Sequence, residues 1–253
     1  MDILYLIIFF ILGCFFGGFY TVLGERLATE DYHFFPYRCN HCKHALSFLD
    51  GIPIVSFLFL KKRCRYCHHI IDVMEPLMEF FTGILFAVAF YSFGFSYELL
   101  IALGIISLLI IVTVSDLNYL IIPDEVLIFF GFYFIVVQFF SVGIVNTCFH
   151  VLTGIFLFLL MYFIMWLGEK MLKKESLGGG DVKMMFLFGL VLDPLLGTIA
   201  IFLGSIFALP MSLFLLYKNQ EKMIPFGPFL LIAFTFLYFT KITPEIIISW
   251  LSF

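Results

Sequence analysis

The sequence predicts an all-α, polytopic membrane protein of about eight transmembrane helices carrying a small cytosolic cysteine loop. Three observations lead there. Apolar residues make up 63% of the 253 positions and charged residues 13%, with 37 phenylalanines, more apolar surface than a soluble domain of this length can cover. The charge-free runs are long, and spanning hydrocarbon takes roughly 20 residues of helix whose backbone groups pair internally. The basic residues gather in a few loops, as cytoplasmic loops do. No nucleic-acid signature and no internal repeat is present.

The apolar runs fall at 3–24, 80–97, 99–115, 126–168, 184–192, 194–217 and 223–240. The run 126–168 is long enough for two spans, with 141–147, which holds Gly143 and Asn146, as the turn between them. From Asp181 to Asp193 a helix rises only about 18 Å, short of the roughly 30 Å hydrocarbon. That segment either borrows residues past Pro194 or is a half-span. With both termini outside, every one of the 14 basic residues except Lys241 faces the cytosol. The same parity needs two crossings between Lys183 and Lys218 and favours two short spans after Asp181. The first run lacks a basic n-region and a small-residue cleavage site, so it reads as a retained anchor. The expected divisions are 1–24, a first transmembrane helix; 25–76, a cytosolic loop; and 77–253, a transmembrane domain carrying the chemistry.

Gly17 and Gly18, at the cytosolic end of the first span, allow close helix packing, and Cys14 and Cys148 are small apolar fillers. The loop carries Cys39-Asn40-His41-Cys42 and Cys64-Arg65-Tyr66-Cys67, separated by residues 43–63. Two such knuckles can aim four thiolates at one tetrahedral zinc ion with Zn–S bonds of about 2.3 Å, leaving no open position, so the ion is expected to be structural. A disulfide or redox dithiol is the competing reading, disfavoured because the loop's basic residues place it in a reducing compartment. The segment 52–60 is too short to span and belongs to the loop or the membrane surface. Glu79 follows, a carboxylate entering a span: either a functional group or an interface anchor.

Asp116 ends the third span, where the helix dipole disfavours an anion. Pro123 breaks the chain after Ile122, so Asp124 is expected to cap the next helix. His150, inside the fifth span, is expected to be hydrogen-bonded there. Gly178, Gly179 and Gly180 remove side-chain bulk so that the backbone can approach another segment. Asp181 follows, as a helix cap or as something more. Topology puts Asp116 and Asp181 on the same rim. Two close carboxylates share a proton, so that one can deprotonate water while the other donates, as aspartic peptidases require. No zinc-peptidase or serine-nucleophile motif competes. An ion-coupled transporter would instead need carboxylates near the midplane, and a zinc-bearing scaffold would need none.

These elements in order resemble the type IV prepilin peptidases: Gly178-Gly179-Gly180-Asp181 with Lys183, Asp116 through Asp124, Pro225-Phe226-Gly227-Pro228, the two Cys-x-x-Cys pairs bracketing Asp50, Ile52, Pro53 and Ser56, and then Glu79 and Gly83. The resemblance implies catalytic Asp116 and Asp181, with Gly178, Gly180, Lys183, Asp124 and Glu79 in support, and zinc on Cys39, Cys42, Cys64 and Cys67. It implies a multi-pass protein of the bacterial cell membrane that cuts the leader from prepilins or pseudopilins on the cytosolic side. It also implies N-methylation of the new terminus from S-adenosylmethionine. Thr21, Asn40 and residues 73–78 depart from the family pattern.

Overall fold

The computed structural model describes residues 2–30, 39, 41–45, 47, 53–60, 62–172, 178–218 and 224–251. Arg38, Asn40, Asp50, Ile52, Lys61, Lys173, Lys174 and Lys222, which enter the sequence arguments, lie outside these. The described chain is helical, with one isolated antiparallel bridge between Arg63 and Ile70. It divides into two compact units, residues 1–95 and 96–253.

The N-terminal unit contains α1 (Asp2–Ala28), the single-turn α2 (Val55–Phe59) and α3 (Met74–Phe93). α1 and α3 pack closely because small residues face each other: a Cβ on Gly13 would lie 2.8 Å from Gly83 Cα, and one on Gly17 2.8 Å from Glu79 Cα. The packing role expected of Gly17 is therefore observed. The opposite face of α1 exposes Ile3, Leu4, Ile7 and Ile11, as a helix bathed in lipid should.

The C-terminal unit contains α4 (Tyr97–Tyr119), α5 (Asp124–Leu172), α6 (Gly179–Val191), α7 (Pro194–Tyr217), α8 (Gly227–Thr240) and α9 (Pro244–Leu251). α4 starts on a Ser96 cap whose hydroxyl accepts from Leu99 N at 3.2 Å. It closes at Leu120, in the left-handed region (φ 56°), whose N–H returns to the Asp116 carbonyl at 2.9 Å. Residues 121–123 form the break expected from Pro123. The 49 residues of α5 are two helices divided at Gly143 (φ 78°, ψ 172°), inside the segment assigned as a turn from sequence. Among the described residues, five helices are long and apolar enough to cross a bilayer: α1, α3, α4, α5 and α7. With α5 counted as its two halves, α8 as a shorter apolar helix and the 13-residue α6 added, the number is close to the eight expected.

α6 is short. Its 13 residues rise about 20 Å and stop at Val191, without borrowing from beyond Pro194. The expectation of two short spans after Asp181 holds for α6 but not for α7, which runs a full 24 residues.

A helix end that is buried leaves carbonyl groups that must find partners. A side chain of α5 supplies one: Gln138 Nε2 donates to the Leu190 carbonyl at 3.1 Å. His150 lies near the Gly189 backbone, but its Nδ1 is buried without a partner among the described residues, so the hydrogen-bonded role expected of it is not observed at that atom. Gly189 also packs directly on the Gly154 backbone, where any side chain would collide.

Replacing the 5%-exposed Gln138 with Leu strands a buried carbonyl and should destabilise the protein by about 1–3 kcal/mol. Denaturation of the detergent-solubilised protein measures this; an unchanged midpoint would show that the contact contributes nothing.

Candidate active site

The C-terminal unit brings Asp116 and Asp181 together from three directions. Asp116 sits in the last turn of α4 and Asp181 in the first turn of α6, as third helical residue. They are 6% and 7% exposed, and the charge of Asp116 acts on Asp181. The start of α8 supplies the third side: Gly227 N donates to Asp116 Oδ2 at 3.1 Å.

Each carboxyl group rests against a glycine. A Cβ on Gly227 would stand 3.0 Å from Asp116 Oδ2, and one on Gly178 3.1 Å from Asp181 Oδ2. Gly180 and Gly227 share a further neighbour, Ile122, whose side chain would lie 2.8 Å from a Cβ on Gly180 and 3.2 Å from one on Gly227. The extended residues after α4 therefore slot between the starts of α6 and α8. Of the three consecutive glycines, only Gly180 is needed for close approach to another segment; Gly178 makes room for Asp181, and Gly179 meets nothing within 4 Å.

Asp181 is not a helix cap. The cap position is Gly178, which has no side chain to offer, and Asp181 Oδ1 is buried without a hydrogen-bond partner among the described residues. An acceptor left unpaired in a buried site is expensive and is a natural place for a proton, a water or a reacting group. Asp124 also departs from expectation. It is the first residue of α5, and its carboxylate takes Lys183 Nζ on both oxygens at 2.7 Å. The pair ties the start of α5 to the start of α6, so the cation two residues past Asp181 clamps the helix rather than standing free.

Glu79 belongs to the N-terminal unit. Its Oε2 accepts from Ile54 N at 2.7 Å, and Ile54 itself sits in the left-handed region (φ 59°). Oε1 would be 2.9 Å from a Cβ on Gly18. The carboxylate holds the residues ahead of α2 onto α3, which gives the loop a fixed return to the helices.

The four cysteines of that loop meet. The Sγ atoms of Cys39, Cys42, Cys64 and Cys67 all lie within 4.8 Å of one another, against about 3.8 Å for the edge of a tetrahedron with 2.3 Å bonds. The two knuckles share the same backbone hydrogen bonds. Lys43 N and His68 N return to the carbonyls of Cys39 and Cys64 at 2.9 and 3.0 Å, and both Lys43 and His68 have positive φ, 58° and 56°. Cys39 N and Cys64 N in turn donate to His44 and His69 carbonyls at 3.0 and 2.9 Å. This duplicated turn aims four thiol groups at one point and suits a tetrahedral metal ion. His41 and His69 stack on each other at 4.2 Å, outside the four-sulfur set.

Sequence reasoning placed the carboxylates but did not assign Gly227 or Ile122 to them, nor Gln138 to the end of α6. Gly227 stood inside a noted motif, yet a glycine's N–H is invisible in sequence. Gln138 is the only Gln, Asn, Asp, Glu, Lys or Arg in 126–145, and that isolation was the available signal.

Two buried carboxyl groups on short helix ends of an apolar helical bundle, with a four-cysteine cluster in a separate unit, define a polytopic membrane protein with a carboxylate-pair centre. Residues 11–93 match the Bacterial Peptidase A24 N-terminal domain, and residues 103–213 match the Type IV leader peptidase family. The chain is 35% identical over 189 residues to the prepilin leader peptidase/N-methyltransferase of Bacillus subtilis strain 168, covering 73% of each. It is 31% identical to that of Myxococcus xanthus, over 74% of this chain and 56% of the relative. Against that of Aeromonas salmonicida strain A449 it is 31% identical over 77% of this chain and 68% of the relative. The chain belongs to the type IV leader peptidase family. No solved structure matches it.

Two glycine substitutions separate the contacts. Gly227→Ala forces a Cβ against Asp116 and should destabilise the protein by about 1–3 kcal/mol, whereas Gly179→Ala, with open space around it, should be neutral or gain up to about 1 kcal/mol of helix propensity. Equal midpoints for the two variants would contradict the packing described.

Proposed function

We propose that the chain is an aspartic endopeptidase that removes the leader from type IV prepilins or pseudopilins at the cytosolic face of the bacterial cell membrane and then N-methylates the new terminus. The observation that carries this reading is the pair of buried carboxyl groups, Asp116 and Asp181, each set against a glycine and held at helix ends. Two carboxyl groups that act on each other's charge can hold one proton between them. The ionised member takes a proton from a water, and that oxygen adds to the scissile carbonyl. The protonated member donates to the carbonyl oxygen; as the resulting diol collapses, the proton taken from water passes to the departing amine and a hydroxyl proton returns to the second carboxylate. One water is consumed, two chains leave, and the pair again holds one proton.

The surrounding residues position this chemistry. Gly227 N–H orients Asp116 and leaves its Oδ1 for the water. The exposed Gly178 and Gly179 leave room for an extended backbone beside Asp181. Lys183 and Asp124 hold the starts of α5 and α6 together under the load of a bound peptide. In the loop, Cys39, Cys42, Cys64 and Cys67 take a structural zinc ion, which closes the two knuckles into one unit and has no open position for catalysis. Methyl transfer would use S-adenosylmethionine as donor. Glu79, engaged with Ile54 and Gly18, serves that half of the protein by fixing the loop.

In a membrane assay with a prepilin substrate, Asp116→Asn and Asp181→Asn should each lower cleavage at least about a hundredfold. Processing near the wild-type rate by either variant refutes the pair. Metal analysis should find about one zinc per chain, lost in Cys39→Ser; full zinc content in that variant would remove Cys39 from the ligand set.

A further inference from the structure

α6 is enclosed on nearly every side. Of its residues from Asp181 to Val191, only Lys183 is exposed and Phe186 half-buried. Both open onto one groove of about 630 Å³ between α6 and the two halves of α5, within the roughly 300–1,000 Å³ range of small-molecule sites. Its walls are Ile128 and Phe132 from the first half of α5, Phe158 from the second, and Phe186 and Leu187 from α6. Asp124 and Lys183 are its only charged lining residues.

The groove does not open on the carboxyl pair. Lys183 lies two residues beyond Asp181, about 200° around the helix, so the groove runs along the opposite face of α6. What it offers is an apolar trough ending in one cation and one anion side by side, their side chains 51% and 58% exposed. The ion pair is neutral as a unit but unsaturated. An ammonium has three N–H donors and a carboxylate about four acceptor sites, and the 2.7 Å contacts use only some of each. The complementary ligand has an apolar chain and a neighbouring phosphate and ammonium. The trough sits in a span, with Ile128 and Phe132 72% and 70% exposed on its rim, so lipid is what reaches it.

We infer that the groove binds one acyl chain of a zwitterionic glycerophospholipid, with the phosphate beside Lys183 and the ammonium beside Asp124. The chain bridges the seam between α5 and α6 and covers the one open face of the helix that carries Asp181. This assignment does not depend on the peptidase reading.

The test uses the full-length protein in nanodiscs containing a trace of phosphatidylethanolamine with a photoactivatable diazirine in its acyl chain, with cross-linked peptides read by mass spectrometry. Label should concentrate on the peptides carrying Phe132, Phe158 and Phe186 at least about fivefold over those carrying Ile7 and Ile11, equal to about 1 kcal/mol of preference. Gly131→Leu should abolish the enrichment by filling the floor. Gly131→Ala, whose Cβ would stand at an ordinary 3.5 Å from Leu187 Cδ2, should keep it. The double variant Asp124→Asn with Lys183→Gln should lose the preference for the phosphatidylethanolamine probe over a phosphatidylglycerol one. Even labelling of all lipid-facing helices in the wild type overturns the site. Equal labelling by the two probes overturns the head-group assignment, and displacement of the label by a prepilin peptide makes the groove a substrate surface instead.

Discussion

The last carbonyl groups of α6 have no further helical turn to serve, and a buried unpaired one costs about 1–3 kcal/mol. Gln138 removes that cost at Leu190, reaching it from the first half of α5. The Gly154–Gly189 contact sets how closely the helices approach. At the other end Lys183 and Asp124 fix the same two helices with an ion pair. A short helix held at both ends by one hairpin cannot slide or turn freely. That is what an acid at its third residue requires, because the reach of a carboxyl group is set by the register of its helix.

Asp116 gains its place by a different route. It lies one turn before the end of α4, the helix closes through the left-handed Leu120, and the following residues lead Ile122 into the space left by Gly180 and Gly227. The break after α4 therefore serves two purposes: it ends the helix that holds one carboxyl group and it wedges between the helices that hold and orient the pair. The absence of side chains at positions 178, 180 and 227 has three separate explanations, namely room for Asp181, room for Ile122 and room for Asp116. A shared demand for backbone flexibility is not among them.

Much of this was legible in the sequence because it depends on composition and chain order. The apolar runs gave the helices, the excess length of 126–168 required a division, and Gly143 marked it. Asp116 and Asp181 were legible because a charged residue at a span end needs a reason. Features that depend on which face of a helix meets which neighbour could not be read. Asp124 looked like a cap because caps are local, and its partner Lys183 lies 59 residues away. Gln138 and Leu190, 52 apart, posed the same difficulty. The apolar run 194–217 matches α7, while charge parity, which counts crossings without measuring them, favoured a short span there.

The two units meet the problem of polar groups near lipid by different means. In the C-terminal unit, side chains from one helix satisfy the backbone end of another. In the N-terminal unit, Glu79 takes a backbone N–H from the residues before α2, and the cysteine knuckles repeat one turn whose positive-φ residues, Lys43 and His68, occupy equivalent places. Those turns bring four sulfur atoms to a point, where cross-linking by a metal would supply stability that a small loop cannot draw from a core. The C-terminal unit draws its stability from packed helices and leaves α6 uncovered along one narrow face only. Whatever lies against that face touches the helix that carries Asp181 without touching Asp181, and for a helix in a bilayer the first occupant of such a face is an acyl chain.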